Sequence, residues 1–447
     1  MSDTTVAAVV MAGGLGTRMR SALPKHFHPI LGRRMVDWVI ESGREAGASP
    51  LVVVASPGAR DEFASSDVTV AVQEEALGTG DAVRSARAAL EGYEGDVLVL
   101  SGDTPVLTAE LLGELVATHR REQAAATILS AEPPDPRLYG RVVRDSGGAV
   151  LRIAEGTDAS PEEQQIREIN SSIYVFRSDA LWPAIEQLQP KNVQGELYLT
   201  DVIEILVAGG AKVAAHVAAD HRETDGVNTR VELAQAGAAL RDRINERHML
   251  AGVTIIDPAS TWIEPTVELE ADVTLHPFTI LRGATSIATG TEIHANTVAI
   301  DAHIGRHANV GPFCYLRPGT VLESGAKAGT FVEVKRSRIG ARSKVPHLSY
   351  IGDADIGEDT NIAAGNVTAN YSHDPGRRKE RTTIGKNVRT GVDNTFVAPV
   401  TVGDDVWLWS GTVVTDDVPS GSLAGFPPKQ VTKEGWVYER GKRDDNN

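Results

Sequence analysis

The chain has 447 residues, 41% hydrophobic and 23% charged, a globular composition too long for one ordinary core, so about two or three domains are expected. Its net charge of -16 argues against non-specific binding to nucleic acid or anionic membranes, so an anionic substrate needs a local cationic pocket. A single cysteine, Cys314, excludes an intramolecular disulfide and a Cys-rich metal site. There is neither an apolar run of about 18 residues nor a basic-then-apolar leader, so a cytoplasmic protein is expected.

In chain order, residues 6–10 are apolar and β-branched and read as a buried first strand. Residues 11–25, MAGGLGTRMRSALPK, follow it. Gly13, Gly14 and Gly16 let the backbone approach a ligand and turn N–H groups towards a phosphate, and Thr17, Arg18 and Lys25 add donors and positive charge. The spacing matches neither the P-loop nor G-x-G-x-x-G, and a bare glycine-rich loop is equally well a tight βα turn. Further strands are expected at 51–55, 97–100, 125–130, 173–176 and 213–217, with helices such as 35–46 and 82–90 between them. This alternation predicts βαβ units and a mostly parallel sheet, with ligands at the carboxyl ends of its strands.

Gln73 and the LGTGDA run (77–82) form a second glycine loop suited to packing against a nucleobase. Asp103, in VLSGDTPVL, follows an apolar strand where a carboxylate could hold Mg2+. Asn228 in GVNTR offers a second oxygen, although Asp and Asn at such places are commonly turn residues. Residues 229–248 have helix-forming composition and read as a connecting helix.

Beyond residue 250 the helical signal gives way to a six-residue period. Aliphatic residues recur at Ile304, Val310, Leu316, Leu322 and Val334, with Ala328 in phase. A second run is Ile384, Phe396, Val402, Leu408 and Val414, with Thr390 in phase, and Ile339, Val345, Ile351, Ile356 and Ile362 keep the spacing with small slips. Such a period suits neither an α-helix nor a hairpin sheet. It predicts a β-solenoid whose coils stack their aliphatic residues.

The order and wording of the motifs add a resemblance. Residues 11–25, LGTGDA, SGDTPV, YGRVVR (139–144), EINSSIYVF (168–176), QGELYLTD (194–201) and GVNTR resemble the sugar-phosphate nucleotidyltransferases. With the hexapeptide solenoid carrying HLSYIGDADIGEDTNIAAGNVTANY (347–371), residues 5–437 resemble the bifunctional N-acetylglucosamine-1-phosphate uridylyltransferase/glucosamine-1-phosphate N-acetyltransferase family. That resemblance implies an α/β plus β architecture: a Rossmann-like (GT-A-like) nucleotidyltransferase domain over 1–228, a linker helix over 229–250 and a left-handed parallel β-helix of hexapeptide repeats over 251–447. Acetyl transfer from acetyl-CoA to glucosamine 1-phosphate would precede uridylyl transfer from UTP to N-acetylglucosamine 1-phosphate. The product, UDP-N-acetylglucosamine, is a precursor of peptidoglycan and other cell-envelope polymers.

By the same resemblance, Gly13, Gly14, Gly16 and Arg18 would cradle the UTP phosphates, and Lys25 would neutralise charge at the α-phosphate. Gln73, Gly78 and Thr79 would read uracil; Gly140, Glu155, Asn170 and Asn228 would contact the sugar phosphate; Asp103 and Asn228 would hold Mg2+. In the solenoid His347 would act as general base, though a lone His in a repeat protein is often only a surface residue. Arg317, Lys335 and Lys379 would meet the acceptor phosphate, and Tyr350, Asn361, Asn370 and Tyr371 its hydroxyls. Ala364, Val392 and Ser410 would line the acetyl-CoA groove. A homotrimer is expected, with the acetyl site between subunits.

The donor side departs from the family pattern. NYSHDPGRRK (370–379) stands where the family has NYDG, Val392 where it has serine, and Trp407 and Trp409 where it has small residues. GFPPKQ (425–430) lacks the usual arginine, for which Lys429 is a substitute. Two other readings stay open on these residues: a monofunctional uridylyl- or thymidylyltransferase with an oligomerising or regulatory solenoid, and a non-catalytic trimeric scaffold that binds nucleotide sugars.

Overall fold

The computed structural model describes residues 6–14, 16–64, 67–192, 194–371, 379–426 and 429–441. The chain forms two compact units, Met1–Leu240 and Arg241–Asn447. The first unit is built on strands β1 (Val6–Ala12), β2 (Ala48–Ala55), β3 (Thr69–Val72), β4 (Asp96–Ser101), β5 (Ala126–Ala131), β6 (Arg141–Arg144), β7 (Val150–Ala154), β8 (Ile169–Arg177) and β9 (Val213–Val217). They form one sheet in the order β9-β5-β8-β4-β1-β2-β3, with β6 paired to β8 and β7 paired to β6.

The apolar runs follow from burial on both faces. Along β1, Ala7, Val9 and Met11 enter one core with helices α2 (Thr79–Ser85), α4 (Ser178–Ile185) and α5 (Asp201–Ala208). Val6, Ala8, Val10 and Ala12 enter the other, with α1 (Met35–Glu45) and α3 (Ala109–Glu122). A strand sandwiched this way loses its polar alternation and reads as continuously hydrophobic. The sheet is less parallel than the alternation suggests: β8 runs antiparallel to β4, β5 and β6. Pairs β1–β2, β1–β4, β2–β3 and β5–β9 are parallel.

Helix α6 spans Arg230–Leu250, and the division between the units falls inside it. Its Ala236 and Leu240 pack with Ile30, Met35, Val106 and Val227. In the second unit Asn245 donates to the carbonyls of Pro258 and Thr261, and the Arg241 guanidinium lies over Trp262.

After α6 the chain winds through strands of two to four residues that form three parallel sheets of six, nine and eight strands, a left-handed parallel β-helix. Residues of the six-residue period stack coil on coil. Leu281, Ala299, Leu316, Val334 and Ile351 follow one another in one sheet, and Ile287, Ile304, Leu322, Ile339 and Ile356 in another. All of them are buried. Many corners carry a non-glycine residue in the left-handed backbone region, among them Asp301, Phe313, Phe331 and Arg342. The glycines after the aliphatic positions serve close approach: a Cβ on Gly340 would lie 2.5 Å from the backbone of Gly357 in the next coil.

Candidate active sites

Because β1 and β4 are parallel neighbours with Met11 opposite Ser101, the glycine-rich loop and Asp103 leave the sheet side by side, and Gly102 N donates to Met11 O at 2.9 Å. Lys25 sits in a short turn (Lys25–Phe27), buried, with Nζ against the Asp103 carboxylate and 3.0 Å from Asn228 Oδ1. Arg18 Nη2 donates to the same Asn228 oxygen at 2.8 Å, and Ser101 Oγ donates to Asp103 Oδ1 at 2.7 Å. Asn228 is held through its backbone: its N–H donates to Glu232 Oε2 at 2.8 Å, while Val227 N donates to Asp103 O at 2.8 Å.

Arg18, Lys25, Ser101, Asp103 and Asn228 line a cleft of about 500 Å3 with Gly13, Gly14, Gln73, Gly78 and Thr79. Gln73 is fixed by donating Nε2 to Gly78 O and to Asp81 Oδ2, each at 3.0 Å. Its Oε1 lies so near the loop that a Cβ on Gly13 would be 2.9 Å away, so a side chain there would have to displace the glutamine. Gly78 has φ +116°, where side chains are rarely tolerated, and a Cβ would meet Leu197 O at 2.6 Å.

Burial works to raise the Asp103 pKa, but Lys25, His26 and the hydrogen bonds from Lys25 and Ser101 outweigh it and hold the carboxyl below its usual range. Neighbouring His26 is the reverse case. Burial, with Lys25 adding to it against Asp103, lowers its pKa to about 4, so the imidazole is neutral, and its Nδ1 has no hydrogen-bond partner among the described residues.

A second group adjoins the first. Asn170 N donates to Gly140 O at 2.9 Å and Asn170 Nδ2 to Tyr174 Oη at 2.8 Å, while Thr200 Oγ1 donates to Glu155 Oε1 at 2.9 Å. A Cβ on Gly140 would lie 3.5 Å from Glu155 Oε2, so Gly140, Glu155 and Asn170 share one place. Burial pushes the Glu155 carboxyl up in spite of the Thr200 hydrogen bond. Tyr139 joins the groups by accepting a hydrogen bond from Gly226 N at 3.1 Å.

In the β-helix the candidate residues are spread over faces. Arg317, Lys335, Tyr350 and Asn370 belong to the nine-stranded sheet or its margins. Arg317 donates to Glu333 at 2.7 Å, and Lys335 is pushed down by the positive charges of Arg317 and then Lys379, which places three cations together. Asn370 contacts Asp353, which Arg336 also grips at 2.7 Å. His347 and Asn361 lie instead along the six-stranded sheet, Asn361 in a column with Lys344, Arg389 and Trp407. His347 is exposed, and its side chain makes no hydrogen bond among the described residues. Tyr371 is exposed.

Ala364, Val392 and Ser410 stack on successive coils, with Ala364 O accepting from Asp393 N and Val392 O from Gly411 N. Trp407, in the same coil as Ser410, is 63% exposed. Of the departures noted in the sequence, residues 372–378 and 427–428 lie outside the described residues, as does Leu15 in the glycine-rich loop.

A doubly covered sheet with glycine loops, paired cations and a carboxylate–amide oxygen pair at its strand ends defines a nucleotidyltransferase, here joined to a hexapeptide β-helix. The family model for the MobA-like NTP transferase domain matches residues 8–192. The chain is 48% identical to the bifunctional protein GlmU of Streptomyces coelicolor, over 97% of this chain and 94% of that protein. It is 45% identical to that of Mycobacterium marinum (97% and 93%) and 44% to that of Corynebacterium glutamicum (98% and 95%). The chain belongs to the GlmU family, both halves included. GlmU proteins are UDP-N-acetylglucosamine diphosphorylases and glucosamine-1-phosphate N-acetyltransferases, and this chain is a transferase of that bifunctional kind.

Sequence reasoning missed Ser101, His26, Tyr139 and Thr200 as parts of the nucleotide-side site, and Glu232 as the residue holding Asn228. Ser101, Tyr139 and Thr200 lie inside motifs already singled out, and His26 is next to Lys25, so adjacency to a candidate was the available signal.

Proposed function

We propose that the Met1–Leu240 unit transfers the uridylyl group of UTP to N-acetylglucosamine 1-phosphate and releases pyrophosphate. The observation that carries this is the convergence of Lys25 and Arg18 on the Asp103–Asn228 pair at the floor of the glycine-lined cleft. Backbone N–H groups of Gly13 and Gly14 face the phosphates, and the two cations offset negative charge as the sugar phosphate oxygen attacks the α-phosphorus and the bond to pyrophosphate breaks. Gln73 has both amide hydrogens committed, which leaves Oε1 to accept from a pyrimidine N3–H. The Gly140, Glu155 and Asn170 group receives the sugar.

The oxygen-only donor set of Asp103 and Asn228 suits the hard cation Mg2+, which would neutralise phosphate charge there. Lys25, with its ammonium on both residues, moves from them to the α-phosphate when substrate and cation enter.

The β-helix carries the acetyl transfer that comes first. The amine of glucosamine 1-phosphate attacks the acetyl-CoA thioester, a C–N bond forms, the C–S bond breaks and His347 takes the amine proton. Arg317, Lys335 and Lys379 hold the phosphate; Tyr350, Asn361, Asn370 and Tyr371 orient the sugar; Ala364, Val392 and Ser410 line the acetyl-CoA groove. On one chain His347 and Asn361 lie on a different face from the cations, which supports a site completed by a neighbouring subunit of a homotrimer. Phe278, Phe313, Phe331 and Leu348 support the same reading: all are exposed, and all hold the left-handed backbone that bulky residues avoid. A cytoplasmic location fits the proposed substrates of both steps. No helix among the described residues is long and apolar enough to cross a membrane.

The test is both half-reactions on the purified protein. Pyrophosphate release from UTP with N-acetylglucosamine 1-phosphate, and thiol release from acetyl-CoA with glucosamine 1-phosphate, are both expected. Thiol release absent while pyrophosphate release persists would sink the proposed acetyl site, and an equal rate with dTTP would sink the uridylyl assignment.

A further inference from the structure

One cluster of metal-ligating side chains lies apart from both sites. In the β-helix Leu275 and Ile293 point inwards and pair in register on adjacent coils. Side chains alternate along a strand, so the flanking residues Glu292, His294 and His276 point outwards. Register also puts His276 directly over His294, one strand spacing away, and their rings stand 5.0 Å apart. Glu292, two residues before His294, shares its face and reaches both rings: His276 Nε2 is 2.8 Å and His294 Nε2 3.8 Å from its carboxylate oxygens. One ligand atom from each of the three residues lies within 4.8 Å of the other two.

We infer that His276, Glu292 and His294 form a binding site for a first-row divalent cation of the Zn2+ or Co2+ type, clipping two coils of the β-helix together. Two imidazoles and one carboxylate suit such borderline ions rather than Mg2+, which prefers oxygen alone. Asn309, in register with Glu292 on the next coil, donates Nδ2 to His294 Nε2 at 2.8 Å. With the Asn309 amide nitrogen as donor, Nε2 carries the lone pair that a metal requires, and the amide turned over would present its oxygen as a fourth donor. The side chains are partly exposed, so an ion can enter from solvent. Because the ligands come from successive coils, binding adds a cross-link that the unfolded chain lacks, and stability rises with metal.

The experiment uses the full chain, stripped with a chelator and kept in excess Mg2+ so that oxygen-only sites are filled. Co2+ is titrated and followed by visible absorption, which nitrogen ligation intensifies, and Zn2+ is then added during thermal unfolding. Saturation at a single equivalent, displacement by Zn2+ and a higher melting temperature are expected. His276→Gln, His294→Gln and Glu292→Gln should each weaken binding by about tenfold or more, without slowing pyrophosphate release from UTP. A far-ultraviolet circular dichroism spectrum like the parent's certifies the β-helix fold of each variant, which the uridylyl rate does not report. Co2+ binding equally tight in the three variants, or none in the unmodified protein, would overturn the inference and leave the cluster an ion pair between coils.

Discussion

The sites proposed for nucleotidyl transfer and for acetyl transfer are built in opposite ways. In the first unit the candidate residues touch one another: Lys25, Arg18, Asp103, Ser101 and Asn228 are one hydrogen-bonded group, with Lys25 buried, Asp103, Ser101 and Asn228 half-buried and Arg18 exposed at its edge. In the β-helix the candidate residues stand on separate faces, His347 is exposed, and much of the polar contact is between Arg336, Asp353 and Asn370 rather than across a cleft. A doubly wound sheet brings distant loops together at its strand ends, so one chain completes the constellation. A solenoid presents flat columns, and concavity has to come from a second surface. On the proposed reading, the first activity is a property of the folded chain, whereas the second is a property of an assembly.

The largest test of that contrast is to remove the group proposed as base. His347→Ala should lower acetyl transfer by about 10²- to 10⁴-fold, read as thiol release, with uridylyl transfer unchanged. Lys25→Ala should lower uridylyl transfer by about 10²- to 10³-fold, read as pyrophosphate release, with acetyl transfer unchanged. If either variant loses both activities together, the two sites are not independent and the comparison fails.

Much of this contrast was legible in the sequence, for identifiable reasons. The glycine loop and Asp103 follow strand ends, where local wording marks a βα turn, and Asn228 stands just before α6. The six-residue period names its own core, because most coils bury one aliphatic residue per face, with Thr368, Phe396 and Thr390 among the exceptions. The antiparallel run of β8 was not legible, since a strand buried on both faces has the same composition in either direction. Nor was the role of Glu232, which acts on Asn228 through its backbone and from an otherwise ordinary first turn of α6. The phase slip around Ile356 and Ile362 hides which sheet receives Asn361, a proposed acceptor residue. His276, Glu292 and His294 form a cluster only through the length of one coil, which sets His276 against His294 on adjacent coils.

A smaller effect separates assembly from chemistry. Phe313 and Phe331 stack at 5.2 Å on an exposed corner of the β-helix. Phe331→Glu puts charge into the face proposed to pack against another copy, and should raise the dissociation constant of the oligomer about tenfold or more, read by light scattering on dilution. Acetyl transfer should fall with the oligomer while uridylyl transfer keeps its rate. An oligomer that persists at wild-type strength would show that the aromatic corner is not the contact.

The smallest effect tests how the first site tolerates its own burial. Glu155 is pushed up by desolvation, so folding disfavours its charged form. Its contribution is therefore most favourable below the unfolded-state value near about 4.3 and declines as pH rises through the raised folded-state pKa. Glu155→Gln keeps an oxygen to accept from Thr200 but removes the charge. The variant should melt about 2 °C higher than the parent at neutral pH, and the gain should vanish near pH 4, where both carry a neutral group. It should also raise the KM for N-acetylglucosamine 1-phosphate, because the carboxylate proposed to receive the sugar is gone. A gain in melting temperature that is constant with pH would point to packing instead of charge. Loss of stability at neutral pH would mean that the carboxylate is compensated by more than Thr200.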